Sequence, residues 1–356
     1  MKDKDKVASL KLERELHLRK AEVFLKKCSS SEKEDKNVNK NKLSICFDIQ
    51  KNLPLPVTNV TDEYYLRQLW LHNFGIHNLK ENSATTYLFT ENYAHKGPNE
   101  VITALDDYFL HHKIPDQTHL EIFCYNCFSQ NKNRFIFTYF YQLCAKGLFE
   151  TISVNYPIRG HSMMPIDRDF ALIKRQKLKH KKIYEPDSYV NFVLNSRNAK
   201  KFEVVFLEKN LIERGQIDRS GEEREEQRGN ERVLKVKNYE TYYNDNIKQT
   251  IPGISGCRRV LFKRREMQSQ PFSDSMTGDI FKDFSLYRVG ISRYLRDVSV
   301  DCYQNAIKIK EAQINDIKKL IRFVPQEKRK FCETLIMEQA KLNESQIVEE
   351  LDDEIE

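Results

Sequence analysis

From Leu43 to Ile49 the apolar residues Leu43, Ile45, Phe47 and Ile49 alternate with Ser44, Cys46 and Asp48, the period of two that predicts a strand with unlike faces. Asp48 falls on the face of small residues. Pro54 and Pro56 stop this strand, the aromatic and branched stretch Tyr64 to Ile76 predicts a second, and Thr85 to Thr90 predicts a third, completing a meander. After Gly97 and Pro98 the spacing of Val101, Ile102, Leu105, Tyr108 and Phe109 becomes helical, giving a covering helix over Asn99 to His111. Leu120 to Tyr125 reads as a short apolar strand. Asn131 to Leu148 then sets Phe135, Ile136, Tyr139, Phe140 and Leu143 on one helical face and stops at Gly147. Thr151 to Ile158 predicts another strand, and Pro165 opens a last helix with Asp167 and Asp169 in its first turn. The order is βββαβαβα.

A meander followed by crossover helices implies an α/β fold with a ribonuclease-H-like mixed sheet and covering helices over residues 43–197; other α/β sandwiches share parts of the pattern. Around it lie an amphipathic helix over 1–28, carrying Leu12, Leu16, Val23 and Phe24, and a polar linker over 29–42. Residues 198–325 read as a small α+β C-terminal region, with a strand at Phe202 to Leu207 and strand-bearing stretches at Val233 to Arg265 and Leu286 to Val300. Its insert at 213–232, rich in Gly, Arg and Glu, is expected to be disordered. Helices over Ala306 to Phe323 and Gln326 to Leu342 break at Pro325. The 326–356 unit ends in an acidic tail from Glu349.

Composition narrows the class. No apolar run approaches the roughly 18 residues of a membrane span, and Lys2 to Lys6 lack a secretory apolar core, so an intracellular, nuclear rather than cytoplasmic setting without a membrane partner is expected. Eight cysteines are scattered with one close pair, Cys124 and Cys127, which favours free thiols over the four-ligand set of a structural zinc. The formal charge of +7 permits nucleic acid as a partner without demonstrating it. No small-molecule cofactor is expected.

Nucleic-acid enzymes on such a fold hold two divalent cations roughly 4 Å apart between carboxylates from the first strand, the fourth strand's end and a later helix. The candidates are Asp48, position 125, and Asp167 or Asp169. Position 125 is tyrosine, whose phenol has an ordinary pKa of about 10 and is neutral at physiological pH, so the middle acid is missing. Metal ligation by Asp48 and Asp167 is therefore expected to be weak, with Mg²⁺ or Mn²⁺ implied only if activity is retained. Asn126 offers an amide oxygen without charge, and Glu91 and Glu100 are substitute carboxylates flanking the first covering helix. His161, Gln130 and Asn131 are candidate supporting residues. Lys174, Arg175, Lys177, Lys179, Lys181 and Lys182 form a basic run behind the acidic helix turn, placed for a phosphate backbone. A second run, Arg258, Arg259, Lys263, Arg264 and Arg265, reads equally as charge guarding a strand edge.

Several stretches carry a resemblance: Phe47 to Gln50 with Asn52 to Pro56; Tyr65 to Gln68 leading to Asn73, Phe74 and Gly75; Gly97 to Val101; Gln130 to Arg134; Pro157 to Ser162 through Pro165 to Phe170; and, more weakly, Ile317 to Pro325. In these the chain resembles a family of uncharacterised, transposon-associated animal proteins predicted to hold a ribonuclease-H-like transposase domain. Family members commonly read Phe-Ser-Asp-Gly-Cys-Gly-Gly-Gln-Asn where this chain reads Phe123 to Asn131 as Phe-Cys-Tyr-Asn-Cys-Phe-Ser-Gln-Asn, losing the aspartate and all three glycines. The family's preceding Cys- and His-rich region is absent, so the resemblance implies a truncated, degenerate member. The expectation is a catalytically inactive domain with non-specific nucleic-acid affinity. An active metal-dependent nuclease or transposase, and a protein-interaction module built on the terminal helices, are the alternatives.

Overall fold

The computed structural model describes residues 2–34, 38–161, 163–196, 202–207, 232–264, 266–271, 282–283, 285–288 and 295–353. The chain runs through α1 (Lys2–Lys33), β1 (Lys42–Ile49), β2 (Leu53–Leu55), a 3₁₀ turn (Thr61–Tyr65), β3 (Leu69–Asn78), β4 (Ser83–Thr90), α2 (Pro98–His112), β5 (His119–Cys124), α3 (Arg134–Ala145) and β6 (Thr151–Asn155). It continues through α4 (Pro165–Leu178), α5 (Pro186–Leu194), β7 (Phe202–Phe206), β8 (Arg232–Val233), α6 (Tyr239–Asn244), β9 (Cys257–Lys263), β10 (Glu266–Pro271), β11 (Lys282–Asp283), α7 (Glu311–Ile321) and α8 (Lys330–Asp353). The result is a mixed α/β fold. Among the described residues one sheet runs β11-β10-β9-β6-β5-β1-β3-β4-β7-β8, with β2 beside β3. Its centre combines antiparallel β1–β3–β4 with parallel β1–β5–β6.

The strand alternation divides the apolar residues between two cores. Ile45, Phe47, Phe74, Ile76 and Phe89 face α2 and α3, packing with Val101, Leu105 and Phe140. Cys46, Leu71, Leu88 and Phe123 face the opposite side, against Phe24 of α1, Phe170 of α4, Tyr189 of α5 and Ile317 of α7. Covering both faces removes apolar surface from water at roughly 1.5–3 kcal/mol per large side chain, the dominant stabilising term. No helix among the described residues is long and apolar enough to cross a membrane.

Four boundaries differ from the sequence expectation. The helix read over 1–28 continues to Lys33, because the Ser31 hydroxyl donates 2.6 Å to Glu121 and Cys28 is buried beside it. The second strand starts at Leu69, not Tyr64. Glu63 accepts from Thr58 N, Thr58 Oγ1, Asn59 N and Gln68 Nε2, folding the approach into a turn that leaves Tyr64 and Tyr65 in solvent. The region after residue 197 extends the same sheet at both edges, β7 pairing parallel with β4 and β9 antiparallel with β6. The acidic end stays helical through Asp353. Residues 213–231 of the expected disordered insert lie outside the described residues, while Arg232 pairs with Asp107 and Glu203.

Helix α4 sits unusually close to the sheet at Gly75. A Cβ there would stand 2.7 Å from Ile166 Cδ1 and 2.8 Å from Phe170 Cε1, both closer than van der Waals contact allows. The missing side chain admits these two residues into the pleat. Gln50 reinforces the seating, its amide donating 3.2 Å to the Phe170 carbonyl while its own oxygen accepts from Asn73 Nδ2 at 3.0 Å. Gly75→Ala should therefore overpack the α4 contact and lower stability by about 1–3 kcal/mol. Urea unfolding monitored by circular dichroism checks this, and an unchanged midpoint would refute the close packing.

Candidate functional site

The register brings the first two predicted positions to one end of the sheet. Phe47 of β1 pairs with Cys124 of β5, and Asp48 and Tyr125 each lie one residue beyond that step. Across β1 on the other side, Asp48 pairs with Gly75, so α4 covers its face with no side chain between. Asp48 is half-buried, and its Oδ1 accepts 2.8 Å from the Ile49 amide. Burial raises its pKa to about 7, the charge of Asp167 pushes the same way, and the Ile49 N–H only partly offsets them.

Asp167 occupies the third position of α4, after Pro165. Its Oδ2 accepts 2.8 Å from the Met164 amide and closes the helix's capping box. Burial raises its pKa, against the lowering effect of that amide. Tyr125 is 36% exposed at the mouth between β5 and the following loop.

The other candidates go elsewhere. Asp169, read as a remnant acid, is fully buried two residues further along α4, and its Oδ2 meets His77 Nδ1 at 2.6 Å. Helical geometry turns it away from Asp167 and onto the core face of β3, where a buried carboxylate needs such a partner. His161 packs against His17 of α1, ring centroids 5.0 Å apart. Asn131 is buried and braces the loop, donating from Nδ2 to the Tyr125 carbonyl at 3.4 Å, while its backbone carbonyl accepts from Tyr156. The Gln130 carbonyl accepts from Asn133, whose side chain caps α3. Glu100 accepts from His95 N, Gly97 N and the Tyr303 hydroxyl, and Glu91 from Trp70 N and Gln313, so both substitute carboxylates serve the scaffold.

This donor set does not fit a pair of divalent cations. Two carboxylates converge, each already accepting a backbone N–H, and the third position holds a phenol. Among the described residues no group of three or more His, Cys, Asp or Glu is disposed to hold a metal. The loop that replaces the acid carries buried acceptors without hydrogen-bond partners, Asn126 Oδ1 and Asn131 Oδ1, which supply no charge.

Positive charge dominates the neighbouring surface. Lys174, Arg175, Lys179, Lys181 and Lys182 are exposed, and none pairs with a carboxylate among the described residues. Lys177 is partly buried, which lowers its pKa; Glu63 opposes the shift, and Lys51 and Lys174 add to it. Lys51, three residues after Asp48, thus joins the basic run of α4. Sequence reading missed Lys51, Gln50 and Gly75, since their importance lies in what they face across the sheet. In the second run, Arg259 Nε donates to Ser153 Oγ at 3.1 Å along the β6–β9 pairing.

The fold and site thus define a mixed α/β protein with a carboxylate pair beside a basic helix. Residues 61–227, just under half of the chain, match the family model described as Domain of unknown function (DUF7869). The match takes in β3 to β7 and the whole α4 run, while Asp48 lies before it. Neither a curated protein nor a solved structure matches the chain.

The raised pKa of Asp48 has a measurable consequence for stability. Between about pH 4 and pH 7 the folded protein keeps a proton that the unfolded chain releases, so stability falls as pH rises through that window and levels off above it. Asp48→Asn should flatten this slope and gain on the order of 2–4 kcal/mol relative to the parent at pH 8 compared with pH 4. Parallel denaturant titrations at the two pH values test it, and identical pH profiles for the two proteins would contradict the buried, repelled carboxyl.

Proposed function

We propose that this chain carries a ribonuclease-H-like domain of transposon ancestry that no longer catalyses phosphodiester chemistry and binds nucleic-acid backbones through α4. The strand order β4-β3-β1-β5-β6 supports the fold reading: the meander pairs antiparallel, the next two strands run parallel to β1, and the acidic helix crosses the face bearing Asp48. The observation that carries the functional reading is the pairing of an incomplete acid set with an unneutralised basic helix. Two carboxylates, one poised to hold a proton near neutrality, give too little negative charge for two hard cations. The exposed lysines and Arg175 beside them supply counter-charge for phosphates without reading bases. Eight free thiols suit the reducing, nuclear setting such a role requires.

A second reading is favoured by one feature. The first half of α1 exposes Val7, Leu10, Leu12, Leu16 and Leu18, an apolar set that fits a protein-interaction module.

Salt separates the two. If α4 grips phosphates, affinity for a labelled duplex should fall steeply with added salt, and replacing Lys174, Arg175, Lys179 and Lys182 by Gln should weaken binding about tenfold or more and flatten the slope. Salt-independent binding, or none, would favour the α1 reading. Catalysis is tested by incubating the same duplex with Mg²⁺ or Mn²⁺. No cleavage is expected, and cleavage abolished by Asp48→Ala would restore the nuclease reading. Tyr125→Asp supplies the missing acid, so it should tighten Mn²⁺ binding by about tenfold or more in calorimetry; an unchanged affinity would mean that position 125 does not converge with Asp48 and Asp167.

A further inference from the structure

A large concavity lies away from the carboxylate pair. It is an open groove of about 1280 Å³ bounded by the 3₁₀ turn, the start of β3, the residues after β4 and residues 307–310 before α7. Trp70 and His72 line it, and on β3 these alternate with Leu71, Asn73 and Gly75. The α4 lysines contribute nothing to its wall.

Three kinds of group meet there. Tyr64 and Tyr65 are 87% and 79% exposed, and their rings stand edge to face with centroids 5.1 Å apart, so neither is consumed by the core. With the half-buried Trp70 they offer flat aromatic faces at the groove. Lys96, Lys308 and Lys310 supply positive charge, and Lys96 is held by Asn52 rather than by a carboxylate. Arg67 is fixed by Asp316 at 2.9 Å. The groove's acids, Glu63 and Glu91, are engaged in the turn and the β3 start as described, and burial raises the pKa of Glu91. The third kind is His72. His72 is only 5% exposed, and its Nδ1 has no hydrogen-bond partner. Burial, with Lys96 and His95 adding, holds its pKa down at about 3, so the imidazole is neutral at every physiological pH.

Exposed aromatics interleaved with lysines are the composition that stacks unpaired bases and tracks the attached phosphates. A neutral imidazole beside them provides hydrogen bonding for a base edge without attracting the phosphate. A buried nitrogen lacking a partner is costly, and a ligand or water that reaches it recovers the loss. The volume exceeds that of one nucleotide and suits a short strand.

We propose that this groove is a binding site for unpaired nucleotides, with bases stacked on Tyr64, Tyr65 and Trp70 and phosphates held by Lys96 and Lys310. The site goes beyond the backbone-binding role of α4 and does not depend on it. The shared chemistry is an aromatic base carrying a phosphate, whether free or within a single strand.

Trp70 is the chain's one tryptophan, so its emission reports on this groove alone. The full chain is titrated with a short oligothymidylate and, separately, with thymidine monophosphate, at matched absorbance. Saturable quenching of Trp70 is expected. The doubly substituted Tyr64→Ala, Tyr65→Ala protein, altered only at solvent-exposed rings, should need about tenfold or more oligothymidylate for half-saturation, and Lys96→Gln should weaken binding and flatten its salt dependence. Quenching by the monophosphate as strongly as by the strand identifies a free nucleotide as ligand; quenching by the strand alone identifies single-stranded nucleic acid. The Gln-substituted α4 protein should quench as the parent does, which distinguishes failure here from failure of the α4 reading. Absence of saturable quenching by both probes, equal quenching by a blunt duplex, or unchanged half-saturation in the double tyrosine variant would overturn the proposal.

Discussion

Everything about the carboxylate site depends on how closely one helix is allowed to approach one strand. A helix resting on a sheet is ordinarily held about 10 Å away by the side chains of both. At Gly75 the sheet contributes none, and Ile166 and Phe170 sink into the space. Gln50 then fixes the depth by hydrogen bonds to the Phe170 carbonyl and to Asn73. Because Gly75 pairs with Asp48, this lowered helix lies over the part of the sheet that carries Asp48. Asp167, in the first turn of the same helix, adds to the upward push that burial gives the Asp48 pKa.

Charge balance at that point decides what the surface attracts. Three ionised acids would make the pocket strongly negative and favour hard cations. With tyrosine at position 125 only two remain, and Asp48, raised to about 7, is partly protonated at neutral pH. Further along α4, Lys177 feels the charges of Glu63, Lys51 and Lys174. The phenol at position 125 therefore leaves the pocket less negative than a third carboxylate would.

The sequence revealed the features that depend on local periodicity. Alternation located β1 and put Asp48 on the face opposite Phe47, and helical spacing located α2, α3 and α4 with small errors at their ends. It failed where long-range partners decide. Ser29 to Lys33 reads as linker because its composition is polar, yet Glu121, ninety residues after Ser31, holds the helix together by accepting from Ser31 and pairing with Lys27 at 3.2 Å. Tyr64 and Tyr65 looked like strand because aromatics favour strands, yet four hydrogen bonds to Glu63 bend the chain first. Asp167 and Asp169 were equal candidates in sequence. Only the rotation of α4 distinguishes the capping acid beside Asp48 from the core acid bonded to His77.

Strand β3 shows how one element serves two unlike surfaces. Its residues 71, 73 and 75 face α4, where the demand is for small size and amide hydrogen bonding, met by Asn73 and Gly75. Residues 70 and 72 face the groove, where the demand is for aromatic area and a buried ring nitrogen. A slip of one residue in the β1–β3 register would exchange these sets, placing Phe74 or Trp70 under α4 and expelling it from the sheet. The apolar side chains at 74 and 76, buried against α2 and α3, forbid that slip. The same packing that fixes the core thus fixes both surfaces, and neither can be altered at β3 without strain on the other.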